Sequence, residues 1–390
     1  MDLFLSIISL LVWIFLIFLY PRKNFTGDEL FWTNKIIFEK KSIKGLKDEN
    51  NENVCVIIPA RNEKFTIAET LNSVLNQGLK KLFILIVDDN SNDGTSKLAK
   101  RTLIEAKFNK FKIIKGKKLK KGWSGKVWAL KQAIDYLKQK KEITHYLFID
   151  SDIVLEKNII NDTLRFLKNK KLIMVSLMAK LNCQSFWEKL LIPSFIYFFQ
   201  KLYPFSSVNN LKSSVAAAAG GYIICTSRPF LKKNLYNYIK DKVIDDCNIA
   251  RLLKKEGKIW LGLTNRIKSN RNYEKFGDLR KMIARTAFEQ LKYSITLVIL
   301  STFGMLLIYV YPYFALVTNF NNLDTFRLTI NLVTIVLMTI SLIPTVNFYK
   351  LNYIYYFSLP ISATFYIFMT IDSTLNYFLK KGNVWKGRKY

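Results

Sequence analysis

Residues Leu82 to Thr95 read LFILIVDDNSNDGT, and residues Val54 to Glu63 before them read VCVIIPARNE. Each is a short apolar run that stops at polar or acidic residues, the pattern of a buried strand. Tyr146 to Asp150 (YLFID) repeats it and continues into Ser151-Asp152, and Lys112 to Lys115, Leu172 to Leu177 and Tyr222 to Thr226 are further strand-like runs. Between them Phe65 to Asn76, Thr95 to Lys107, Val127 to Lys138 and Asn158 to Lys168 carry apolar residues at three- and four-residue spacing, as helices do. The alternation predicts an α/β domain with a mostly parallel sheet. Ligands of such sheets bind where strands end. Here those ends are Pro59-Ala60-Arg61-Asn62-Glu63, Asp88 to Thr95 and Asp150-Ser151-Asp152.

The chain has one histidine, His145, which excludes most zinc-hydrolase and Ser-His-Asp chemistry, because both need an imidazole fixed beside other groups. Four widely spaced cysteines (Cys55, Cys183, Cys225, Cys247) form no C-x-x-C pair and fit a reducing compartment. No G-x-G-x-x-G follows the first strand and no G-x-x-x-x-G-K-[ST] occurs, so dinucleotide and P-loop sites are excluded. What remains is a nucleotide held through acidic residues and a metal. Asp150-Ser151-Asp152 puts two carboxylates on a strand end, which suits a hard divalent cation, Mg2+ or Mn2+, that also takes diphosphate oxygens. Turns after strands favour Asp for backbone reasons alone, so that alternative stays open.

Net charge is +31, and its distribution is uneven. Residues 21–293 hold 53 Lys+Arg against 26 Asp+Glu, whereas 294–379 contain only Asp324, Arg327, Lys350 and Asp372, and 2–20 only Asp2. No basic-aromatic motif accompanies the charge, so nucleic acid is not an expected partner; the cleared ends point to a lipid bilayer. Leu3 to Tyr20 is an 18-residue apolar run, long enough for a hydrocarbon core about 30 Å thick. It lacks a basic n-region and is followed by Pro21-Arg22-Lys23, so it reads as an anchor and not a signal peptide. Ser294 to Val317, Leu328 to Phe348 and Tyr353 to Tyr377 read as C-terminal spans. Four crossings would put the basic tail outside, against the positive-inside rule. The last segment, carrying Pro360, Asp372 and Ser373, is therefore expected to be re-entrant. Leu190 to Phe205 is expected to lie along the membrane interface, with a buried core helix as the alternative, and Asp278 to Lys292 reads as an interfacial helix. The expected organisation is an anchor (1–20), a linker (21–53), the α/β domain (54–277), an interfacial helix (278–293), membrane segments (294–379) and a basic tail (380–390). The α/β domain is placed in the cytoplasm, on the cytoplasmic (inner) membrane.

VIIPARNE (56–63), DDNSNDGT (88–95), GWSGKVWAL (122–130), FIDSD (148–152) and DDCNIARLLKKEG (245–257) occur in an order and spacing that resembles inverting family 2 glycosyltransferases. The resemblance implies a GT-A fold, a Rossmann-like nucleotide-diphospho-sugar transferase domain, here joined to transmembrane helices. MIARTAFEQLKYS (282–294) and VWKGRKY (384–390) further resemble membrane-bound hopene-associated and carotenoid glycosyltransferases. The activity this likeness implies is transfer of one sugar from a nucleotide sugar, expected to be uridine-linked, to a lipid acceptor of hopanoid or isoprenoid type. A polyprenyl-phosphate glycosyltransferase and a non-catalytic lipid- or nucleotide-binding homologue are the alternatives.

Carried over residue by residue, the resemblance makes Asp88 or Asp89 the contact to base and ribose, Pro59, Arg61 and Glu63 the wall of the base pocket, and Asp152 the metal ligand with Asp150 nearer the sugar. Lys126 would face the diphosphate, where a point cation offsets leaving-group charge; a solvated lysine at a helix start is the alternative. Asp246 would be the general base, because an attacking alcohol must lose its proton and no histidine is near in sequence; Asp245-Asp246 also suits a helix N-terminus on dipole grounds alone. Trp123, Gly220, Gly221, Asp245, Arg271 and Arg285 are candidate acceptor or phosphate contacts. Trp123 could equally be a packed aromatic, the glycine pair a strand-entry turn, and the arginines anchors of an interfacial helix. No Q-x-x-R-W follows the base, which argues for a single transfer and against a polymerase.

Overall fold

The structure, a computed structural model, describes residues 2–19, 36–46, 52–320, 324–379, 384–385 and 388–389. Pro21-Arg22-Lys23, most of the expected linker and much of the basic tail lie outside them. The chain forms two compact units: one comprises 34–182, 207–272 and 383–390, the other 1–33, 183–206 and 273–382.

The first unit is built on an eight-stranded sheet: β1 (Val54–Ala60), β2 (Leu82–Asp88), β3 (Phe111–Lys115), β4 (His145–Ile149), β5 (Ile153–Leu155), β6 (Met174–Lys180), β7 (Tyr222–Thr226) and β8 (Ile259–Ser269). The order is β3-β2-β1-β4-β7-β6-β8-β5. Strands β3, β2, β1 and β4 are parallel, and β6 is parallel to β8. Strand β7 runs against both neighbours, and β5 against β8, so half of the sheet is mixed where a mostly parallel one was expected. Every residue of β1 and β4 is buried, which is why both read as unbroken apolar runs. The helices Ile67–Leu75, Thr95–Glu105, Gly125–Leu137, Ile159–Asn169 and Asp245–Lys254 belong to the same unit.

Register places the chemistry. Ala60 pairs with Asp88 and Asp88 with Lys115, so the parallel strands end level with one another. Because β7 is reversed, its first residue, Tyr222, pairs with the last residue of β4, Ile149. The residues before β7, Gly220 and Gly221, thus reach the edge at which Asp150 leaves β4. Strand β8 ends at Ser269, paired with Ile153, and delivers Arg271 to that edge too.

Sequence patterning misplaced or missed three strands. Leu172 to Leu177 is displaced two residues: β6 begins at Met174. Strand β5 has only three residues. Strand β8 escapes notice because Asn265, Arg266 and Lys268 interrupt its apolar pattern, yet Arg266 is 7% exposed and paired with Asp162 at 2.7 Å and Glu156 at 3.0 Å.

The second unit is helical: Asp2–Ile14, Phe186–Leu202, Phe276–Gln290, a helical stretch Ile295–Thr318, Thr325–Tyr349 and Leu359–Phe378. Its core gathers Trp13, Tyr197, Tyr309, Met338, Leu342 and Leu359. Of the two readings of Leu190 to Phe205, burial favours the core helix. Residues Leu190 to Ser194, Ile196 and Tyr197 are buried, and their polar groups have partners within the unit: Ser194 with Ser362 at 2.7 Å, and Tyr197 with Ser341 at 3.1 Å. The Phe276–Gln290 helix buries Leu279, Ile283 and Phe288. Its Arg280 grips Asp372 through two hydrogen bonds of 2.9 and 2.6 Å, and Ser373 Oγ accepts from the Phe288 amide. Two helices, Ile295–Thr318 and Thr325–Tyr349, are long and apolar enough to cross a membrane, and Asp2–Phe18 is a shorter apolar helix. The third expected C-terminal span is a 3-10 turn (Tyr353–Phe357) followed by the Leu359–Phe378 helix, which is not among those two.

Candidate active site

The loops after β1 and β2 are locked to each other. Asn62 and Asn90 turn the chain at φ 51° and 56°, a left-handed region that asparagine tolerates. Ser91 Oγ accepts from the Asn62 amide (3.0 Å), Asn62 Oδ1 from the Asn92 amide (3.0 Å) and Thr95 Oγ1 from the Glu63 amide (2.8 Å). Asp88 Oδ1 takes the Ser91 amide at 3.0 Å, and Arg61 donates to the Asp89 carbonyl at 2.5 Å with its guanidinium 3.9 Å from the Asp89 carboxylate. Asp89 is fully buried, and a side chain at Gly116 would come within 3.1 Å of its Cα. Asp88, Asp89, Arg61 and Glu63 are therefore assembled at one strand edge, with Gly116 as a neighbour that sequence reasoning missed.

A second cluster lies across the β4–β7 junction. Lys126, in the first turn of the Gly125–Leu137 helix, stands 2.9 Å from Asp150 Oδ1 and 3.6 Å from Asp245 Oδ2. A cation is unfavourable at a helix N-terminus, so the two carboxylates, and not the helix, account for its place. Burial alone would push the Lys126 ammonium down; Asp150, Asp245 and Asp246 together hold it above its ordinary range. Asp246, opening the Asp245–Lys254 helix, accepts from the Gly220 amide at 2.8 Å and the Cys247 amide at 2.7 Å. Burial and then the neighbouring Asp245 raise its pKa, Asp150 adds to this, and Lys126 and the Cys247 amide oppose it, leaving the carboxyl pushed up to about 6. A carboxylate so poised is a competent base near neutral pH.

Pro59, Lys126, Phe148, Asp150, Gly220, Tyr236 and Asp245 line one small cleft. Tyr236, 2% exposed, had no sequence signal. A Cβ at Gly220 would sit 3.1 Å from Asp246 Oδ2 and 3.2 Å from Lys126 Nζ, and one at Gly221 would sit 3.1 Å from Ile153. If Asp246 acts as the base, Gly220→Ala should lower kcat on the order of 10- to 100-fold by displacing its carboxylate, with nucleotide affinity unchanged; steady-state kinetics against nucleotide titration checks the split.

The third group surrounds Asp152, which is 8% exposed. Ser269 Oγ donates to its Oδ2 at 2.6 Å and Arg271 Nε lies 3.4 Å from the same oxygen, while Arg271 Nη2 reaches Glu63 Oε1 at 2.9 Å. Ser269 is not singled out by sequence, because strand β8, which it ends, is itself not legible there. Trp123 is 8% exposed and packs edge-on against Trp128 at 5.0 Å between centroids, as a packed aromatic does. Arg285 is exposed on the Phe276–Gln290 helix of the other unit. His145 begins β4, five residues from Asp150 and at the opposite end of that strand.

Among the described residues no three His, Cys, Asp or Glu side chains form a metal-holding group. A hard divalent ion bound to a phosphate substrate asks less of the protein, one or two carboxylates with phosphate and water completing its shell. Asp150 and Asp152 fit that demand, since the Ser269 and Arg271 contacts to Asp152 both fall on Oδ2.

Residues 55–235 match the profile of the glycosyl transferase family 2. A mannosyltransferase from Pyrobaculum calidifontis, solved with GDP-Man and Mn2+, shares the architecture at a TM-score of 0.53 and 14% identity, over 96% of this chain and 99% of that one. A glucosyl-3-phosphoglycerate synthase from Mycobacterium tuberculosis, solved with Mn2+, UDP-glucose and glycerol 3-phosphate, aligns at a TM-score of 0.35 and 16% identity, over 62% of this chain and 80% of that one. An uncharacterized protein of Methanocaldococcus jannaschii, MJ1222, is 39% identical over 62 residues, which are 16% of this chain and 25% of that protein. The mixed sheet, the carboxylates at its edge and the family match agree: residues 55–235, a little under half of the chain, match glycosyl transferase family 2 and lie on an α/β fold of GT-A type.

Proposed function

We propose that the enzyme is membrane-bound and moves one sugar, with inversion, from a nucleoside diphosphate sugar to the hydroxyl of a lipid of hopanoid or other isoprenoid type. The observation that carries the chemistry is Asp246, held by two backbone amides and raised to about 6 beside Lys126. The acceptor oxygen forms its bond to the anomeric carbon as the bond to the diphosphate breaks, and its proton passes to Asp246. Lys126 offsets charge developing on the leaving diphosphate. Asp152, with Asp150 beside it, would hold Mg2+ or Mn2+, which supplies further neutralisation of that diphosphate when bound.

Support for a bilayer comes from the exposed faces of the helical unit. Only 17% of the Ile295–Thr318 window and 33% of the Thr325–Tyr349 window are buried, and Leu300, Phe303, Phe314, Val317 and Phe326 are each more than 60% exposed. Apolar surface on this scale calls for a partner of the same polarity. The isoprenoid class rests on the likeness of residues 282–294 and 384–390 alone. Full-length protein in liposomes, given labelled UDP-glucose or GDP-mannose with separate pools of hopanoid alcohol, polyprenyl phosphate and diacylglycerol, should label the hopanoid pool and lose that activity to chelator. Label confined to another pool would overturn the acceptor class, and a rate indifferent to chelator the metal.

Two helices, Ile295–Thr318 and Thr325–Tyr349, are long and apolar enough to cross, and the Leu359–Phe378 helix is not among them, which supports a tail on the same side as the α/β domain. A cysteine replacing Lys389, in a Cys183→Ser background, should react with an impermeant maleimide only in inside-out vesicles, consistent with the basic tail. Reaction in right-side-out cells would contradict this.

A further inference from the structure

The end of β8 is tied to Asp152 more closely than a passing contact requires. The Asn270 amide donates to the Asp152 carbonyl at 2.8 Å, the Arg271 amide to Ser269 Oγ at 3.3 Å, and Ser269 Oγ in turn to Asp152 Oδ2 at 2.6 Å. This frame aims the Arg271 guanidinium at two buried carboxylates at once, Nε toward Asp152 (3.4 Å) and Nη2 toward Glu63 (2.9 Å). Glu63 is 7% and Asp152 8% exposed, whereas the Arg271 side chain is 31% exposed, so its outer face meets solvent.

Charge alone then acts in two ways. A divalent cation approaching Asp152 meets a fixed positive charge already on that carboxylate, and repulsion between cations at such range in a partly buried site is large. A diphosphate offers the guanidinium what a single carboxylate oxygen at 3.4 Å does not: several anionic oxygens suited to its planar, forked donors. Glu63, which faces the same guanidinium, keeps it near the site when it leaves Asp152.

We infer that Arg271 is a positioning residue that occupies Asp152 in the free enzyme and is drawn off by the donor diphosphate, so that metal and nucleotide bind together and each poorly alone. This rests on the assignment of Asp152 as the metal carboxylate. It makes the two binding events reciprocal: whatever the nucleotide does for metal affinity, the metal does for nucleotide affinity by the same factor.

The test is binding of Mn2+ to the full chain in detergent, followed by the loss of the free-ion electron paramagnetic resonance signal, with and without UDP or GDP. Wild type should bind Mn2+ weakly alone and at least about 10-fold more tightly with nucleoside diphosphate. Arg271→Met should bind Mn2+ alone about 10-fold more tightly than wild type and show a smaller gain from nucleotide. Arg271→Gln, which keeps polarity without charge, should behave likewise and guards against a folding defect in the first variant. Unchanged or weaker Mn2+ affinity in both variants, with the nucleotide-dependent binding of wild type intact, would overturn the role of Arg271 and leave the metal assignment standing. No Mn2+ binding by wild type even with nucleotide, or binding that survives Asp152→Asn, would overturn both.

Discussion

Replacing Asp246 with asparagine should cost on the order of 100-fold or more in kcat while nucleoside diphosphate still binds. The amide keeps the shape and one hydrogen-bond acceptor for the Gly220 or Cys247 amide, but it cannot take the proton of an attacking alcohol. The wild-type pH profile should carry the same signature. Asp246 acts as a base only when ionised, and burial with Asp245 pushes its carboxyl up to about 6. Activity (kcat/KM) should therefore rise with pH through about 6 and level above it, and the asparagine variant should lack that limb. Near-wild-type turnover in the variant, or a limb that survives the substitution, would remove Asp246 from the reaction.

Lys126→Gln should have the next largest effect, for two separable reasons. The leaving diphosphate loses a fixed cation, a loss on the order of 100-fold by comparison with other preorganised charge stabilisers. Asp246 also loses the group that most opposes its rise, so its acidic limb should move above about 6. The stability consequence has a definite sign. A carboxyl whose folded pKa is raised above its unfolded value weakens the folded state as pH increases through that range, so the variant should melt closest to wild type in acid and furthest below it at alkaline pH. Lys126→Arg should restore the position of the limb better than the rate, since the charge returns but the compact ammonium does not. A limb unmoved in Lys126→Gln would show that the lysine acts elsewhere.

Much of the strand-end half of the candidate site was legible in sequence because it is local. Strands β1, β2 and β4 are buried on both faces, so their apolar runs are uninterrupted, and in parallel strands the residue after each run falls at the ligand edge. Asp88, Asp89, Asp150 and Asp152 announce themselves that way. The residues gathered around Asp246 and Asp152 from later in the chain were legible only through family likeness. Gly220 and Asp246 meet across 26 residues, and Arg271 and Asp152 across 119, contacts that no periodicity encodes. Strand β8 was hidden for a related reason: Arg266 looks like a surface residue until Asp162 and Glu156 are seen against it. For the Phe186–Leu202 helix the sequence leaves an interfacial and a buried reading open, because the partners that favour burial, Ser341 and Ser362, lie well over a hundred residues later.

That last helix has a consequence for how the molecule comes into being. It interrupts the sheet between β6 and β7, although those two strands are hydrogen-bonded neighbours. A ribosome therefore delivers β1 to β6, then a helix whose buried face has nothing yet to lie against, then the reversed strand and Asp246, and only at the end the helices carrying Ser341 and Ser362. The parallel half of the sheet can assemble from sequence-local βα pieces while synthesis continues. The helical unit must wait for the last quarter of the chain, and a protein truncated after Asn272 would emerge with the inward side of Phe186–Leu202 bare, a ready site for chaperones, proteases or its own kind.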